Sequence, residues 1–286
     1  MLFRSREIVL NEKTIGSRGL RYIFIIAGVV FLCNGTGAED EGSKPFVVSS
    51  LVESKVIALT KGYQPTSQLA RLVRSSEVSQ KVSLGKSTLS EAYSTFVLQT
   101  NGLWATEFGS TSGGRSFSLS LCGLVNVTST GIVSLPQENT FVAPIGKIFV
   151  PFGFRTTTGF TRLERLLDLI VSTNDVCSPQ PGMEFSYKRE TEVITKPSGL
   201  FGRTQAITEI EEVVCKVASQ EKIASQALPQ FRGTYLDVVC DHKQASLPVV
   251  QRSLIFLRES GMYLMVGLRE SWGQARITYK EAQFSN

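Results

Sequence analysis

IEEVVCKVASQEKIASQALPQFRGTYLDVVC, residues 210–240, decides how the C-terminal third is read. Ile210 to Lys216 is β-branched and bounded by polar residues, which predicts a strand, and Thr234 to Cys240 places Leu236, Val238 and Cys240 on one face of a second. Ser219 to Leu228, stopped by Pro229, reads as a helix between them, with Ser219 in the N-cap position. A strand-helix-strand order makes the two strands parallel.

Working outward, Pro248 is expected to open a further helix whose Val250, Leu254 and Leu257 face inward, closed by Gly261. Met262 to Leu268, the turn Ser271-Trp272-Gly273 and Ala275 to Tyr279 form a closing hairpin. The predicted fold class is therefore α+β: a β-rich hairpin region with flanking helices, followed by a C-terminal β-α-β-α-β-β layer.

Upstream, Val48, Leu51, Val52, Val56 and Leu59 recur at helical spacing. Thr88 with Glu91, then Thr161 with Glu164, match capping boxes, and each precedes an apolar stripe. These stripes predict helices over 88–101, which Asn101-Gly102 ends, and over 161–172. Phe117, Leu119 and Leu121 alternate with serines as a strand does, and Pro136, Pro144 and Pro151 mark edges or turns. The predicted organisation is a leader over 1–38, a mainly helical segment over 39–109, a β-rich region with one helix over 110–205, and an α+β module over 206–286.

The leader reading rests on the apolar run Tyr22 to Cys33, which follows Arg4, Arg6, Lys13, Arg18 and Arg21. Twelve residues are too few to cross a hydrocarbon core of about 30 Å as a helix but suit the core of an export signal. Thr36 and Ala38 supply small residues for cleavage after Ala38. The competing readings are acylation at Cys33, which Leu32 just before it disfavours, and an uncleaved anchor behind the long basic leader, which Asn34, Gly35 and Gly37 disfavour by ending the apolar stretch too soon. Behind a cleaved leader the chain is periplasmic or secreted.

Charge divides accordingly. The whole chain carries +5, but without residues 1–38 it has 25 basic and 23 acidic groups and no Lys/Arg block. That lacks the footprint of phosphate-backbone binding, so nucleic acid is excluded as a partner. No other run is long and apolar enough to span a membrane as a helix.

Cys122, Cys177, Cys215 and Cys240 lie beyond the leader, and four thiols in an oxidising compartment imply two disulfides. Sequence permits three pairings. Cys215 and Cys240 each follow a Val-Val pair at a predicted strand end, so Cys215–Cys240 is favoured, leaving Cys122–Cys177. The cysteines lack metal spacing, and no cofactor or metal site is assigned.

Catalytic motifs are weak. Gly85-Lys86-Ser87 has Gln80 where a phosphate loop needs glycine. Ser83-Leu-Gly-Lys86 and Ser219-Gln-Glu-Lys222 both match S-x-x-K without the other motifs of that chemistry. His242, the one histidine, reads as a solvent-facing residue just past a strand; Glu209, Glu211 and Glu212 read as a solvated edge. Trp104, Trp272, Tyr263 and Tyr279 read as packing, and Asn34-Gly35-Thr36 and Asn126-Val127-Thr128 fit glycosylation acceptors.

These features imply an exported, disulfide-bonded binding or structural protein, a periplasmic or outer-membrane-associated component of an envelope complex whose partners are other envelope proteins. The alternatives are an envelope hydrolase with a non-motif active site and a soluble periplasmic small-molecule-binding protein.

Overall fold

A computed structural model describes residues 49–60, 65–80, 87–110, 115–145, 148–197, 203–245, 247–271 and 273–285. The leader, Cys33, Gly85-Lys86 and Trp272 lie outside the described residues. Among the described residues one α-helix, α1 (Ser50–Thr60), precedes thirteen strands. These are β1 (Gln68–Gln80), β2 (Ser87–Leu98), β3 (Trp104–Ser110), β4 (Arg115–Leu121), β5 (Val125–Ile145), β6 (Ile148–Val171), β7 (Glu184–Pro197), β8 (Gln205–Val217), β9 (Lys222–Ile223), β10 (Thr234–Gln244), β11 (Val250–Leu257), β12 (Met262–Glu270) and β13 (Gly273–Ser285).

The strands pair antiparallel in the order β11-β12-β13-β1 through β8 to β10, and β10 pairs back onto β11. That closes a 12-stranded barrel, with the two-residue β9 added on β10. The expected α+β architecture is therefore overturned.

Each correction has a local cause. The stripe assigned to a helix over 88–101 is β2, hydrogen-bonded on one side to β1 and on the other to β3. The stripe over 161–172 lies in β6, whose register against β7 slips between Leu166 and Asp168. An inserted residue turns period two into a step of three, so inward Leu166 and Leu169 imitate helical spacing. In β11 the run Leu254 to Leu257 is buried on both faces, which fills the alternate positions and again imitates a helix stripe. Ser219 to Leu228 holds only β9 and a one-turn 3-10 helix, Ala224–Gln226. It joins antiparallel neighbours, since Cys240 stands opposite Cys215, so no crossover helix is needed.

The helix read from Val48 to Leu59 is present as α1. Its Val52, Val56 and Leu59 enter the larger apolar cluster with Leu103, Leu121, Leu166 and Leu169, while Leu51 stays 68% exposed. Lys55 Nζ meets Asp168 at 2.6 Å on the surface, a contact worth under about 1 kcal/mol. Packing of three aliphatic side chains, not that ion pair, holds the helix.

β12 pairs with β13 only from Gly267 to Glu270. Its first half departs toward the β4–β5 turn, where the Tyr263 N–H donates to the Cys122 carbonyl at 2.9 Å and the Tyr263 hydroxyl donates to Val176 O at 2.8 Å. A second apolar cluster, including Leu72, Trp104, Leu257, Leu264 and Ile277, completes the core. The crossing demands a close approach. A Cβ on Gly123, whose φ is +74°, would stand 2.6 Å from Tyr263 O, so Gly123→Ala should cost about 2 kcal/mol, read as a lower urea midpoint at unchanged slope.

Candidate functional site

The interior changes character along the barrel. Near α1 it is apolar, whereas toward the β5–β6 hairpin the inward positions of β5, β6, β7, β8, β10 and β11 carry Ser129, Arg162, Glu164, Arg189, Glu211, His242 and Arg252. Alternation dictates this. Glu211 shares a face with Val213, Cys215 and Val217, and its cross-strand partner Arg189 shares one with Tyr187 and Phe185.

Glu211 is the centre of the layer. Arg189 Nε donates to its Oε2 at 2.5 Å, and His242 Nδ1 lies 2.9 Å from its Oε1. Burial opposes ionisation, but Arg189, the His242 hydrogen bond and the Arg252 charge together hold the carboxyl far below the usual range. Arg189 stays charged despite burial because Glu211, Tyr187 and Glu164 face it. Beside this pair, Ser129 Oγ and Arg162 Nε donate to Glu164 at 3.1 and 2.7 Å. Burial opposes ionisation of Glu164 too, yet the Arg162 and Arg189 charges keep its carboxyl below its ordinary value. Burial, reinforced by Glu211, pushes the Tyr187 hydroxyl up to about 12.

The reading of His242 as solvent-facing is overturned: it is 4% exposed, inside β10 and against Glu211. The solvated-edge reading fails for Glu211 as well, whereas Glu212 does face outward. β10 simply runs four residues past Cys240 before it ends. The signal was available in phase: Glu209, Glu211, Val213 and Cys215 are spaced by two.

Desolvation, with the Arg252 charge, lowers His242 from 6.5 to about 4, so the ring is neutral at pH 7. With Nδ1–H donating to Glu211, Nε2 is left as an acceptor, and among the described residues it has no partner. Arg252 Nε and Thr191 Oγ1 are likewise buried without one.

The titration has a signed consequence. Between pH 6.5 and 4 the unfolded chain binds a proton that folded His242 refuses, so stability falls as pH falls through that window, by about 3 kcal/mol at its lower end. Glu211 adds a second loss below its ordinary 4.5, because its folded pKa is depressed. Urea midpoints at pH 7.5, 5.5 and 4.5 should fall in order, and His242→Gln should flatten the first step; an unchanged slope in the variant would refute the assignment.

A second buried cation stands across the barrel. Arg74 lies 4.7 Å from the Phe108 ring centroid, and burial lowers its pKa while Tyr279 opposes that. The Tyr279 hydroxyl also donates to Met265 O at 2.6 Å.

The four cysteines form two disulfides. Cys122–Cys177 ties the β4–β5 turn to the 3-10 helix Asn174–Cys177, with Cα atoms 5.6 Å apart. Cys215–Cys240 links β8 directly to β10 across the wall, with Cα atoms 4.0 Å apart. Trp104 is fully buried and Tyr263 and Tyr279 are core residues. Among the described residues no group of three or more His, Cys, Asp or Glu side chains could hold a metal.

The outer wall is mixed: Glu184, Lys188, Glu212, Lys216, Arg276 and Lys280 stand on outward positions of β7, β8 and β13, while Val97, Phe117, Ile170, Ile210, Val214 and Val239 are exposed on β2, β4, β6, β8 and β10. Among the described residues no helix is long and apolar enough to cross a membrane.

β5 and β6 differ from the other strands in length. Their register runs from Thr128 opposite Arg165 to Ile145 opposite Ile148, whereas β4 reaches only Gly131 and β7 only Phe160. From residues 134 and 159 onward, neither strand has a second neighbour among the described pairings. The pair continues as a two-stranded ribbon about 40 Å long, at roughly 3.4 Å per residue.

Compared with known proteins, the chain matches no family model, no curated protein and no solved structure.

Proposed function

We propose that this chain is an exported, disulfide-bonded binding protein of the cell envelope, in which the barrel is a scaffold and the β5–β6 ribbon is the element that engages what it binds. The observation that carries this reading is the ribbon. Exposed strand edges normally invite association, and chains blunt them or pair them. Among the described residues, a dozen residue pairs continue beyond the last pairings with β4 and β7, on a barrel whose other strands each have two neighbours. The two disulfides support the oxidising compartment.

The test is fractionation of cells expressing the full chain, with thiols blocked at lysis. The reading expects a fully oxidised chain outside the cytoplasm, retained on the envelope, and released from it when residues 134–159 are replaced by a two-residue turn. Reduced protein in the cytoplasm, or retention that ignores the ribbon, would contradict it.

A second reading, binding of a small polar ligand inside the barrel, is favoured by one observation: His242 Nε2, Arg252 Nε and Thr191 Oγ1 are buried without partners. An acceptor and two donor-capable groups on one inner wall suit a molecule that carries both functions. Ligand-dependent protection against urea, lost in Arg252→Met, would support it.

A further inference from the structure

We infer that the barrel lumen binds a small carboxylic acid bearing a hydroxyl on the neighbouring carbon, with its carboxylate on Arg252 and its hydroxyl on His242. This rests on the reading of a small polar ligand inside the barrel and names its chemical class.

The two groups share one inner face. Arg252 stands opposite Cys240 in the β10–β11 ladder, and His242 follows Cys240 by two residues. Such diagonal neighbours lie about 7–8 Å apart at the backbone, within reach of long side chains. The guanidinium turns toward the polar layer, since its charge acts on His242, Glu211 and Tyr187 alike. Yet among the described residues Arg252 has no ion pair, and its buried Nε has no hydrogen-bond partner. Its neighbours explain this: Cys240 and Leu268 flank it on the adjacent strands, and buried Val250 and Leu254 on its own. Glu211, whose carboxylate feels its charge, is already taken by Arg189 and His242.

The lumen has room for a ligand. Twelve strands enclose more space than the roughly eight whose inward side chains can fill a barrel. On β3, β4 and β5 the inward positions are small: Thr106, Ser118 and Ser129 form one row, and Ser116 opposite Gly131 belongs to the next. On β6, β7 and β8 the inward Arg162, Glu164, Arg189 and Glu211 keep 18%, 20%, 20% and 14% of their side-chain surface open. Side chains therefore do not close over the layer.

Each unmatched atom calls for a particular partner. Arg252 offers a permanent positive charge and only donors, so a single negative oxygen group satisfies it. Glu211 is ionised and can only accept, so His242 Nδ1 carries the ring proton and Nε2 presents a buried lone pair. That atom calls for a donor. A carboxylate and a hydroxyl on adjacent carbons supply both from one small molecule. An ammonium in place of the hydroxyl would set a second cation beside Arg252, and a dianion would exceed the one uncompensated charge. Leaving either protein atom unmatched costs the desolvation of a buried polar group.

Protection of the oxidised protein against urea by sodium lactate at pH 7.5, compared at equal ionic strength with sodium propionate, lactamide and alanine, tests this. Lactate should raise the urea midpoint saturably. Propionate, which lacks the hydroxyl, lactamide, which lacks the charge, and alanine, which carries the ammonium, should each bind at least about 10-fold more weakly. Arg252→Met should abolish protection by lactate, and Lys188→Gln, on the outer wall, should leave it unchanged. Absence of protection by lactate in the wild-type chain, or equal protection by propionate, overturns the inference without recourse to a variant. If propionate, lactamide or alanine protects as well as lactate and Arg252→Met loses that protection, the small-ligand reading survives and the hydroxy-acid class falls. If none of the four protects, both fall.

Discussion

Glu211→Gln should destabilise the folded chain by about 3 kcal/mol at pH 7.5, measured as a loss of urea midpoint. The substitution preserves shape while it removes the charge and turns one acceptor oxygen into a donor. It leaves Arg189, whose Nε lies 2.5 Å from Glu211 Oε2, without its main counter-ion, and because an amide has one acceptor oxygen where the carboxylate has two, either Arg189 Nε or His242 Nδ1 then faces an NH2 donor. Breaking a buried pair by removing one partner is costly because the survivor is still desolvated. Both side chains retain some exposure, 20% for Arg189 and 14% for Glu211, which places the effect at the lower end of the usual range. Arg189→Met in the same chain should recover much of the loss. A double variant as unstable as the sum of the singles would show that the two groups are not coupled.

Opening the Cys122–Cys177 disulfide should have an effect of similar or larger size. It closes a span of 55 residues, for which chain entropy alone gives about 4 kcal/mol, against about 3 for the 25-residue span of Cys215–Cys240. Its position adds to this. The Cys122 carbonyl accepts from Tyr263 N–H, so the bridge ties β4, β5, the 3-10 helix and the crossing half of β12 at one point. The Cys122→Ala/Cys177→Ala variant should therefore unfold at lower temperature than the Cys215→Ala/Cys240→Ala variant. The reverse order would mean that the wall between β8 and β10, not the junction under α1, limits stability.

What the sequence revealed and concealed follows from where each feature is encoded. α1 was legible because one stripe of Val52, Val56 and Leu59 meets one core. β4 was legible from the alternation of Phe117, Leu119 and Leu121 with serines, whereas Gly261, φ +52°, which was expected to cap a helix, turns β11 into β12. β6 and β11 were not, because a bulge in one and two-sided burial in the other convert period two into something nearer 3.6. Closure was out of reach: β1 pairs with β13 across about two hundred residues, and no local pattern records it. The charged layer could have been found. Glu209 and Glu211 are in phase with Cys215, and a buried cysteine face predicts buried carboxylates that require arginine partners. The ribbon was visible only in part, as prolines assigned to edges; its length depends on where β4 and β7 stop.

Hydrogen–deuterium exchange of the oxidised protein tests the central claim most directly: the strands close into a barrel through the β10–β11 pair, around a buried charged layer. β7, β8, β10 and β11 should exchange slowly along their whole shared ladders, including the β10–β11 pair that closes the barrel. Fast exchange throughout β10 and β11 would contradict the account.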